Sequence, residues 1–209
     1  MDKLTIHSIK ARMQYRWRQQ RMLLFLKKMN VKKGCHIIDL GGRPGLWEMV
    51  DLEDLNVTLL NLPDEFVHWQ KNYKRHYHLL GDACHIPELA DNQFDIVFSN
   101  SVIEHVGPPS QQAAFAKTVH RLAPRYWVQT PSIWFPIEAH CNLPFWWFYP
   151  QFIRQAWISR WQKQKREFAW KQMTTTRVLK LDHLKSLFPN AQVYTEYYAG
   201  FPKSYSMYK

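Results

Sequence analysis

Long apolar runs are missing from this sequence of 209 residues, which sets aside the membrane-spanning class of protein. A helix that crosses a bilayer needs roughly 18–20 consecutive apolar residues, and no such stretch occurs. The first residues, Met1-Asp2-Lys3-Leu4-Thr5, also lack the apolar segment of a signal peptide. We therefore expect a cytoplasmic protein. A chain of this length has room for one domain with a substantial core, but not for two.

Cysteine is scarce as well, since Cys35, Cys84 and Cys141 are the only three and lie far apart in the sequence. A disulfide framework or a zinc site would need paired spacings such as C-x-x-C, and none is present. The three residues are expected to be reduced thiols in the core or near the functional site. No metal site is predicted.

Acidic residues are few in two segments, so the net charge of +11 is unevenly distributed. Residues 1–33 carry +9 and residues 150–185 carry +7, whereas residues 34–149 carry −6. The basic character therefore belongs to two flanking segments. It does not by itself predict that the acidic middle binds nucleic acid.

Glycine is uncommon too, with seven residues, but three of them fall close together after a short apolar run. The run His36-Ile37-Ile38-Asp39-Leu40 predicts a buried strand, and Gly41, Gly42 and Gly45 follow it. Without a Cβ, these residues let the backbone turn sharply and approach a bound small molecule. The order G-G-x-x-G differs from the G-x-G-x-x-G of dinucleotide-binding proteins, so that class is disfavoured.

Most of the chain alternates short apolar strands with helical patterns. Strands are predicted at about 35–40, 57–62, 76–80, 94–99 and 126–130, and helices at about 8–29, 46–50 and 109–122. This alternation predicts parallel strands joined by right-handed crossovers, which is a doubly wound, Rossmann-like α/β sheet with helices on both faces.

The C-terminal part follows a different pattern. A helix near 180–188 precedes two strands, 191–196 and 204–208, that are joined by Gly200-Phe201-Pro202. Neighbouring strands with such a turn pair antiparallel. We therefore predict a mostly parallel sheet that is closed by a C-terminal antiparallel hairpin.

The ordered motifs resemble those of the class I S-adenosylmethionine (SAM)-dependent methyltransferases, and in particular the small bacterial methyltransferase-11-like type. Asp39, Gly41 and Gly45 stand in the register of the acid and the glycines of motif I, with Arg43 in place of the middle glycine. The resemblance covers most of residues 30–209. It implies a seven-stranded sheet, S-adenosyl-L-methionine as cofactor and S-adenosyl-L-homocysteine (SAH) as product.

The resemblance also divides the single domain, residues 1–209, into four parts. Residues 1–30 would be an N-terminal helical segment that can act as a lid, and residues 31–130 the cofactor-binding core. Residues 131–178 would be an acceptor-site cap inserted after strand five, and residues 179–209 the C-terminal helix and hairpin.

The glycine-rich loop takes its role from the resemblance. Asp39 and the loop would face the amino acid part of SAM; the loop residues are Gly41, Gly42, Arg43 and Gly45. From the residues alone, Asp39 at a strand end can equally be an ordinary turn cap.

The end of strand two is implied to bind the ribose. Asn61, with Leu62 beside it, stands where the family usually has an acid that holds both ribose hydroxyls. An amide can still hydrogen-bond a hydroxyl, but more weakly than a carboxylate. Asp64 is a nearby acid that can substitute for it.

The ends of strands three and four complete the implied cofactor site. Asp82 matches the acid that accepts from the adenine amino group, and Ala83 and Cys84 would line the adenine slot. Asn100 and Ser101 would lie against the methionine part. Asp82 can also be the ordinary Asp of a Gly-Asp turn.

Three residues are candidates for proton transfer. His105 is a candidate base because imidazole titrates near neutrality, although Glu104-His105 resembles a family stretch that often serves structure. Glu138 and His140 share one side of an extended segment because of their two-residue spacing. They are either an acid and base of the acceptor site or a buried ion pair that fixes the loop.

An aromatic cluster at 144–150 predicts a roof over the acceptor site, because aromatic side chains bury much apolar area with little loss of rotamer freedom. The alternative is packing of an inserted cap on the sheet. The candidate acceptor-binding residues are Trp134, Phe135, Trp146, Trp147 and Tyr149.

Residues 151–172 show apolar residues at helical spacing among Lys and Arg, which predicts a basic amphipathic helix. Such a helix either packs on the domain as an ordinary cap or docks peripherally on an anionic membrane surface or a polyanionic carrier. The ordinary cap is favoured.

The function that the sequence favours is methyl transfer from SAM to an oxygen or nitrogen of a small acceptor, hydrophobic, aromatic or lipid-linked. A nucleic-acid (RNA) methyltransferase is the first alternative, and it is disfavoured because Asn100 is followed by Ser101-Val102 rather than by a base-extruding motif. A catalytically degenerate binding module is the second, favoured by Arg43 and Asn61.

Overall fold

Seven strands form a single mixed sheet in the computed structural model, which describes residues 3–50, 55–63 and 77–209, with side chains from residue 11 onward. The strands are β1 (His36–Leu40), β2 (Asn56–Asn61), β3 (Tyr77–Leu80), β4 (Ile96–Asn100), β5 (Arg125–Pro131), β6 (Gln192–Tyr198) and β7 (Phe201–Tyr208). Their order is β3-β2-β1-β4-β5-β7-β6. Strands β1 to β5 are parallel, and β7 is antiparallel to both β5 and β6. The predicted Rossmann-like sheet with a C-terminal hairpin is confirmed.

The starts of two strands, β4 and β7, differ from the prediction by more than one residue. Strand β4 begins at Ile96 because its pairing with β1 starts there, whereas Phe94 bonds to the end of a helix. Strand β7 begins at Phe201, where a turn was predicted. The hairpin turn lies instead at Ala199 and Gly200, which both have positive φ, 49° and 81°.

Helices cover both faces of the sheet, as predicted. Within the described residues they are α1 (Lys3–Lys28), α2 (Pro44–Trp47), α3 (Pro109–Leu122), α4 (Gln151–Lys163), α5 (Glu167–Thr175) and α6 (Leu181–Leu187), with a 3-10 turn at Trp146–Phe148. Proline occupies the first position of α2 and α3, where its missing N–H costs no hydrogen bond.

The single basic helix predicted for residues 151–172 is in fact two helices, α4 and α5. Lys165 adopts a left-handed conformation with φ of 54°, and the Arg166 N–H donates to the Trp161 carbonyl at 2.9 Å. This six-to-one hydrogen bond is the usual way in which a left-handed residue ends a helix. The chain therefore folds back and packs α5 on α4.

Two hydrophobic cores lie on opposite faces of the sheet. One core packs α3 and α6 on the sheet through Phe115, Val119 and Leu184. The other packs α1 on the sheet through Met22 and Phe25, which meet a ring cluster of Trp47, Phe98 and Trp127. The end of α1 is thereby fixed to the domain.

A third core belongs to the segment inserted after β5. It is formed by Trp146, Trp161 and Met173 with smaller neighbours, and it holds α4 and α5 together. In the part of the chain that the structure describes, no helix has both the length and the apolar character needed to cross a membrane.

Candidate active site

The carboxyl ends of the parallel strands meet at one edge of the sheet, where the strand order reverses between β1 and β4. Ligands of open α/β sheets bind beyond this edge. The loop after β1, the end of β2, the turn after β3 and the residues after β4 and β5 all lie there. The sequence-predicted cofactor residues that the structure describes are thus brought to a common edge.

Asp39 lies almost wholly inside the protein, with 1% of its surface exposed. Its Oδ2 accepts a hydrogen bond from Trp47 Nε1 at 2.7 Å. Its Oδ1 is buried and has no hydrogen-bond partner among the described residues. Burial raises the pKa of this carboxyl to about 7, although the bond from Trp47 opposes the shift. One carboxylate oxygen is therefore left to accept from a donor that none of the described residues supplies.

The glycines of the loop have different steric needs. Gly41 has a φ of 76°, and a Cβ there would lie 2.6 Å from a methyl of Val102. A Cβ on Gly42 would collide with the carboxylate of Asp39. A Cβ on Gly45 would meet nothing within 4 Å. Gly41 and Gly42 are therefore required by the fold of the loop, whereas Gly45 faces open space.

Asn61 contacts the same loop from the end of β2. Its Nδ2 donates to the Gly42 carbonyl at 2.9 Å, so one half of the amide braces the loop. Leu62, the next residue, is about half exposed. Asp64, the acid that we considered as a substitute, lies outside the described residues.

Asp82 forms the tight turn after β3, as expected if it is the ordinary Asp of a Gly-Asp turn. Its Oδ1 accepts from the Cys84 N–H at 2.8 Å, and its backbone pairs with His85. Ala83 is half-buried and packs against the core. Cys84 is buried, and burial raises the pKa of its thiol to about 12, so it stays protonated.

The end of β4 is covered by a residue of α1 that the sequence did not single out. Arg21 donates from Nη1 to Asn100 Oδ1 at 2.7 Å and from Nη2 to Glu196 on β6 at 2.7 Å. Ser101 next to Asn100 has a φ of 58° and bonds to Gln129 through both its N–H and its hydroxyl. The only sequence signal for Arg21 was the charge of residues 1–33, which does not indicate which cation reaches the site.

His105 and His140 lie side by side, although 35 residues separate them in the sequence. Their ring centroids are 5.3 Å apart and their planes are nearly perpendicular. His105 Nδ1 lies 3.3 Å from Thr176 Oγ1, a buried hydroxyl that follows α5. Burial, followed by the charge of His140, lowers the pKa of His105 to about 4. His105 is therefore neutral near pH 7.

A buried carboxylate lies beside each of the two histidines. Glu138 Oε1 lies 2.8 Å from His140 Nδ1, and Oε2 accepts from the N–H groups of His140 and Cys141 at 2.6 and 2.8 Å. Burial opposes ionisation of Glu138, but the hydrogen bonds and charge of His140 hold its pKa below its usual value. The carboxylate of Glu138 is therefore hydrogen-bonded to the ring and to the backbone of the same loop.

Glu104 is the carboxylate next to His105. It is fully buried, and its Oε2 accepts from Thr130 Oγ1 at 3.0 Å. Its Oε1 has no hydrogen-bond partner among the described residues and lies 4.0 Å from His105 Nε2. Burial raises the pKa of Glu104 to about 7. Within the described residues, no group of His, Cys, Asp and Glu is arranged to hold a metal ion.

An open aromatic groove lies at the same edge, beyond the end of β5. It has a volume of about 700 Å³, and its lining residues are Trp134, Phe145, Phe148, Phe201, Pro202 and Tyr205. Of the five predicted acceptor-binding residues, only Trp134 is in this lining. Trp146 is 1% exposed and packs in the core of the cap, where Trp147 and Tyr149 contact it as neighbours. Phe135 packs against Tyr198.

Solved structures with this fold include several methyltransferases. A provisionally assigned methyltransferase from an antibiotic biosynthesis pathway of Anabaena variabilis ATCC 29413 is 16% identical, with a TM-score of 0.56 over 85% of this chain and 64% of its own. Phosphoethanolamine N-methyltransferase 2 of Haemonchus contortus, solved with SAM, is 17% identical, with a TM-score of 0.55 over 84% of this chain and 38% of its own. This chain spans less than two thirds of the length of both proteins.

Magnesium protoporphyrin IX methyltransferase of Synechocystis PCC 6803, solved with SAH, is 11% identical, with a TM-score of 0.52 over 91% of this chain and 81% of its own. At such low identities the likeness shows the fold, which is that of the class I SAM-dependent methyltransferases. Residues 40–125, which are less than half of the chain, match the profile of a family described as a methyltransferase domain. No curated protein sequence matches the chain significantly.

Proposed function

We propose that this protein is a SAM-dependent methyltransferase that acts on an oxygen or nitrogen of a small acceptor with an apolar or aromatic part, free or linked to a lipid. The observation that carries the proposal is the buried Asp39 Oδ1, which lies beside Gly42 of the glycine loop and receives a hydrogen bond from none of the described residues. A buried carboxylate oxygen is costly unless a donor or cation reaches it. The ammonium group of SAM is such a donor.

The other residues of the edge fit the remaining parts of the cofactor. Asn61 commits its Nδ2 to the loop and retains a carbonyl oxygen that can accept from a ribose hydroxyl. Asp82 commits Oδ1 to its turn, and its other oxygen is on an exposed side chain that can accept from the adenine amino group. When bound, SAM supplies an electrophilic methyl group on a sulfonium centre.

His140 is the residue that we assign as the proton acceptor. Because Glu138 takes the hydrogen of Nδ1, Nε2 of His140 is left with its lone pair. The carboxylate also stabilises the imidazolium that forms when Nε2 takes a proton. His105 is a weaker base, since burial lowers its pKa to about 4, and it instead limits the orientation of the His140 ring.

The aromatic groove supports an acceptor with an apolar part. Its aromatic walls leave Trp134, Phe145 and Phe148 about half exposed, which is unusual for side chains of this size unless they meet a ligand or partner. Phe152 on α4 and Phe168 on α5 are also exposed, among lysines and arginines. Peripheral contact of this cap with an anionic membrane surface, by a protein located in the cytoplasm, stays a prediction.

Calorimetric titration of the purified protein with SAM and with SAH tests the proposal. We expect binding at micromolar dissociation constants, and a loss of about tenfold or more in both Asp39→Asn and Asp82→Ala. Asp91→Ala is the matched control, because Asp91 is an exposed acid that pairs with Arg121. Binding of neither ligand would contradict the proposal and favour the degenerate binding module. Tight, salt-sensitive binding of RNA would favour the nucleic-acid alternative.

A further inference from the structure

Helix α1 packs across the end of β4, and the spacing of its residues decides which of them arrives there. Residues four apart lie on the same side of a helix, and residues two apart point to the same face of a strand. Phe25 of α1 meets Phe98 of β4, with ring centroids 4.7 Å apart. One helical turn earlier, Arg21 reaches Asn100, the last residue of β4. The packing of α1 therefore places Arg21 at the ligand-binding edge of the sheet.

A carboxylate of the C-terminal hairpin holds Arg21 in this place. Arg21 Nε and Nη2 donate to Glu196 Oε2 at 3.1 and 2.7 Å. Glu196 also accepts from Lys203 and Ser204 of β7. Burial opposes ionisation of Glu196, but the charge of Arg21 and the hydrogen bond from Lys203 hold its pKa below its usual value. The side chain of Arg21 is only 10% exposed, so its guanidinium is held in one orientation.

Another contact of Arg21 fixes the amide of Asn100. Arg21 Nη1 lies 2.7 Å from Asn100 Oδ1. A guanidinium has only donors, so the amide atom that faces it must be the oxygen. Nδ2 of Asn100 is thereby turned away from Arg21, and it donates to none of the described residues. Asn100 is half-buried, so this N–H group can meet a ligand.

Asn100 lies beside the glycine loop. The residue before it, Ser99, donates from Oγ to the Leu40 carbonyl at 3.1 Å. Two residues after it, Val102 lies so close to Gly41 that a Cβ on this glycine would be 2.6 Å from a methyl of Val102. Residues on both sides of Asn100 thus contact the end of β1 and the start of the loop.

Asn100 and Asp39 also point to the same face of the sheet. Asp39 pairs with Phe98 in the parallel ladder of β1 and β4. Paired residues point to the same face, and so does Asn100, two residues after Phe98. Trp47, which bonds to Asp39, packs on Phe98 of this face. An acid that can accept a further hydrogen bond and an amide that can donate one therefore lie on neighbouring strands, two positions apart.

We propose that Arg21 is a positioning residue, which turns the Asn100 amide so that its N–H group donates to the carboxylate of bound SAM. The inference rests on the proposed function and deepens it, because it adds a residue of α1 that selects the amino acid part of the cofactor. The ammonium and carboxylate groups of an amino acid are attached to the same carbon atom. Asp39 can accept from the first and Asn100 can donate to the second. The alternative is that Arg21 only ties α1 to the hairpin.

The test compares the affinities of two ligands for the full chain by calorimetry. SAH has the amino acid part, whereas 5′-methylthioadenosine lacks it, so the ratio of the two affinities reports on that part alone. Asn100→Asp keeps an oxygen for Arg21 but loses the N–H group, and Asn100→Ala loses both. Arg21→Met removes the donors. Arg21→Lys keeps the charge beside Glu196 but not the planar fork that reaches two partners.

Lys203→Met is the matched control. It removes one positive charge from the same carboxylate as Arg21→Met does, but Lys203 bonds to Glu196 rather than to Asn100. The double variant Arg21→Met/Asn100→Ala completes the set, because residues that act through one another have non-additive effects.

We expect the affinity ratio of SAH to 5′-methylthioadenosine to fall about tenfold in both Asn100 variants and about threefold or more in Arg21→Met and Arg21→Lys. The ratio should be unchanged in Lys203→Met. Because Arg21 acts through Asn100, the double variant should have the same ratio as Asn100→Ala. The side-chain NH₂ signals of Asn100 in proton–nitrogen NMR spectra, identified by their loss in Asn100→Asp, should shift when SAH is added.

Other results would overturn the inference even though SAH binds. An unchanged ratio in both Asn100 variants would show that the amide does not meet the amino acid part. A full additional loss in the double variant would show that Arg21 acts independently of Asn100. A normal ratio in Arg21→Lys, or equal losses in Arg21→Met and Lys203→Met, would make Arg21 a tie between α1 and the hairpin. Absence of SAH binding by the unmodified protein would overturn the proposed function as well.

Discussion

A buried carboxylate lies on each side of the candidate active site, and the pKa values of the two are shifted in opposite directions. On the proposed cofactor side, Asp39 is 1% exposed, one of its oxygens has no hydrogen-bond partner among the described residues, and burial raises its pKa to about 7. On the acceptor side, Glu138 is 8% exposed, accepts three hydrogen bonds, and has a pKa below its usual value. Both side chains are buried, and burial opposes ionisation of both. The hydrogen-bond donors therefore decide whether the charge is tolerated.

Glu104 shows that the side of the site on which a carboxylate lies does not determine the direction of its pKa shift. It lies beside His105, yet it resembles Asp39, because one oxygen has no partner in the part of the chain that the structure describes and its pKa is raised to about 7. Residues with an unpartnered buried oxygen are places where a ligand can contribute binding energy. Asp39 and Glu104 can therefore each accept a further hydrogen bond, whereas both oxygens of Glu138 are already bonded within its loop.

The largest effect is expected for Gly42→Ala, which tests the cofactor side. The added methyl would collide with the Asp39 carboxylate, and relief would require displacement of the loop. We expect the free energy of unfolding to fall by about 3 kcal/mol or more. Chemical denaturation measures it. Gly45→Ala is the control for stability, because its methyl would meet nothing within 4 Å. Equal losses in the two variants would contradict the described loop geometry.

Glu104→Gln should stabilise the protein in a pH-dependent way. The folded-state pKa of Glu104 is about 7 and lies above its usual value, so its contribution to stability is complete below pH 4.5 and is lost as the pH rises through 7. The neutral amide does not suffer this loss and keeps an oxygen for Thr130. We expect a gain of up to about 3 kcal/mol at pH 8 that disappears near pH 4. Denaturation at several pH values measures it, and a gain that does not depend on pH would contradict the raised pKa.

Glu138→Gln should destabilise the protein, in contrast to Glu104→Gln. A lowered folded-state pKa means that the stability from Glu138 is present above its ordinary pKa and is lost as the pH falls through the folded-state value. We expect a loss of about 2 kcal/mol at pH 7, because three donors lose a charged acceptor. The free energies of unfolding of the variant and the unmodified protein should become equal at low pH. A stabilised variant at pH 7 would remove the distinction between Glu138 and Glu104.

The smallest effect on stability is expected for Trp134→Ala, in the aromatic groove. Trp134 is 55% exposed, so its removal should change the free energy of unfolding by less than about 1 kcal/mol. Binding of SAH should be unchanged, because Trp134 contacts Phe148 of the cap rather than the glycine loop. Denaturation and calorimetry measure the two quantities. A large loss of SAH affinity would show that the groove and the cofactor edge are not separate.

The strands, the hairpin and the glycine loop could be predicted from sequence because each depends on local patterns. The apolar run that ends at Leu40 and the alternation along β1 to β5 need no knowledge of distant residues. The sequence also associated Glu138 with His140, but on an extended segment. Residues 139–141 instead form a turn, and the Glu138 carboxylate accepts from the N–H groups of His140 and Cys141 in it.

The contacts that complete the site depend on distant parts of the chain and could not be predicted in the same way. Arg21 reaches Asn100 across 79 positions, and only the packing of α1 on the sheet selects it among ten basic residues of the first 33. The groove takes Phe201, Pro202 and Tyr205 from β7, because β7 pairs with β5 and starts at Phe201. The break between α4 and α5 depends on a left-handed Lys165, for which the sequence contains no glycine signal.

The most direct test of the account is the indole N–H signal of Trp47 in proton–nitrogen NMR spectra during titration with SAH. Trp47 donates to Asp39 Oδ2, so an ammonium group that reaches Asp39 Oδ1 must change the environment of this hydrogen. The spectrum of Trp47→Phe assigns the signal. We predict a saturable shift of the Trp47 signal, with little change in the signal of Trp161, which lies in the core of the cap. An unshifted Trp47 signal in the presence of bound SAH would contradict the account.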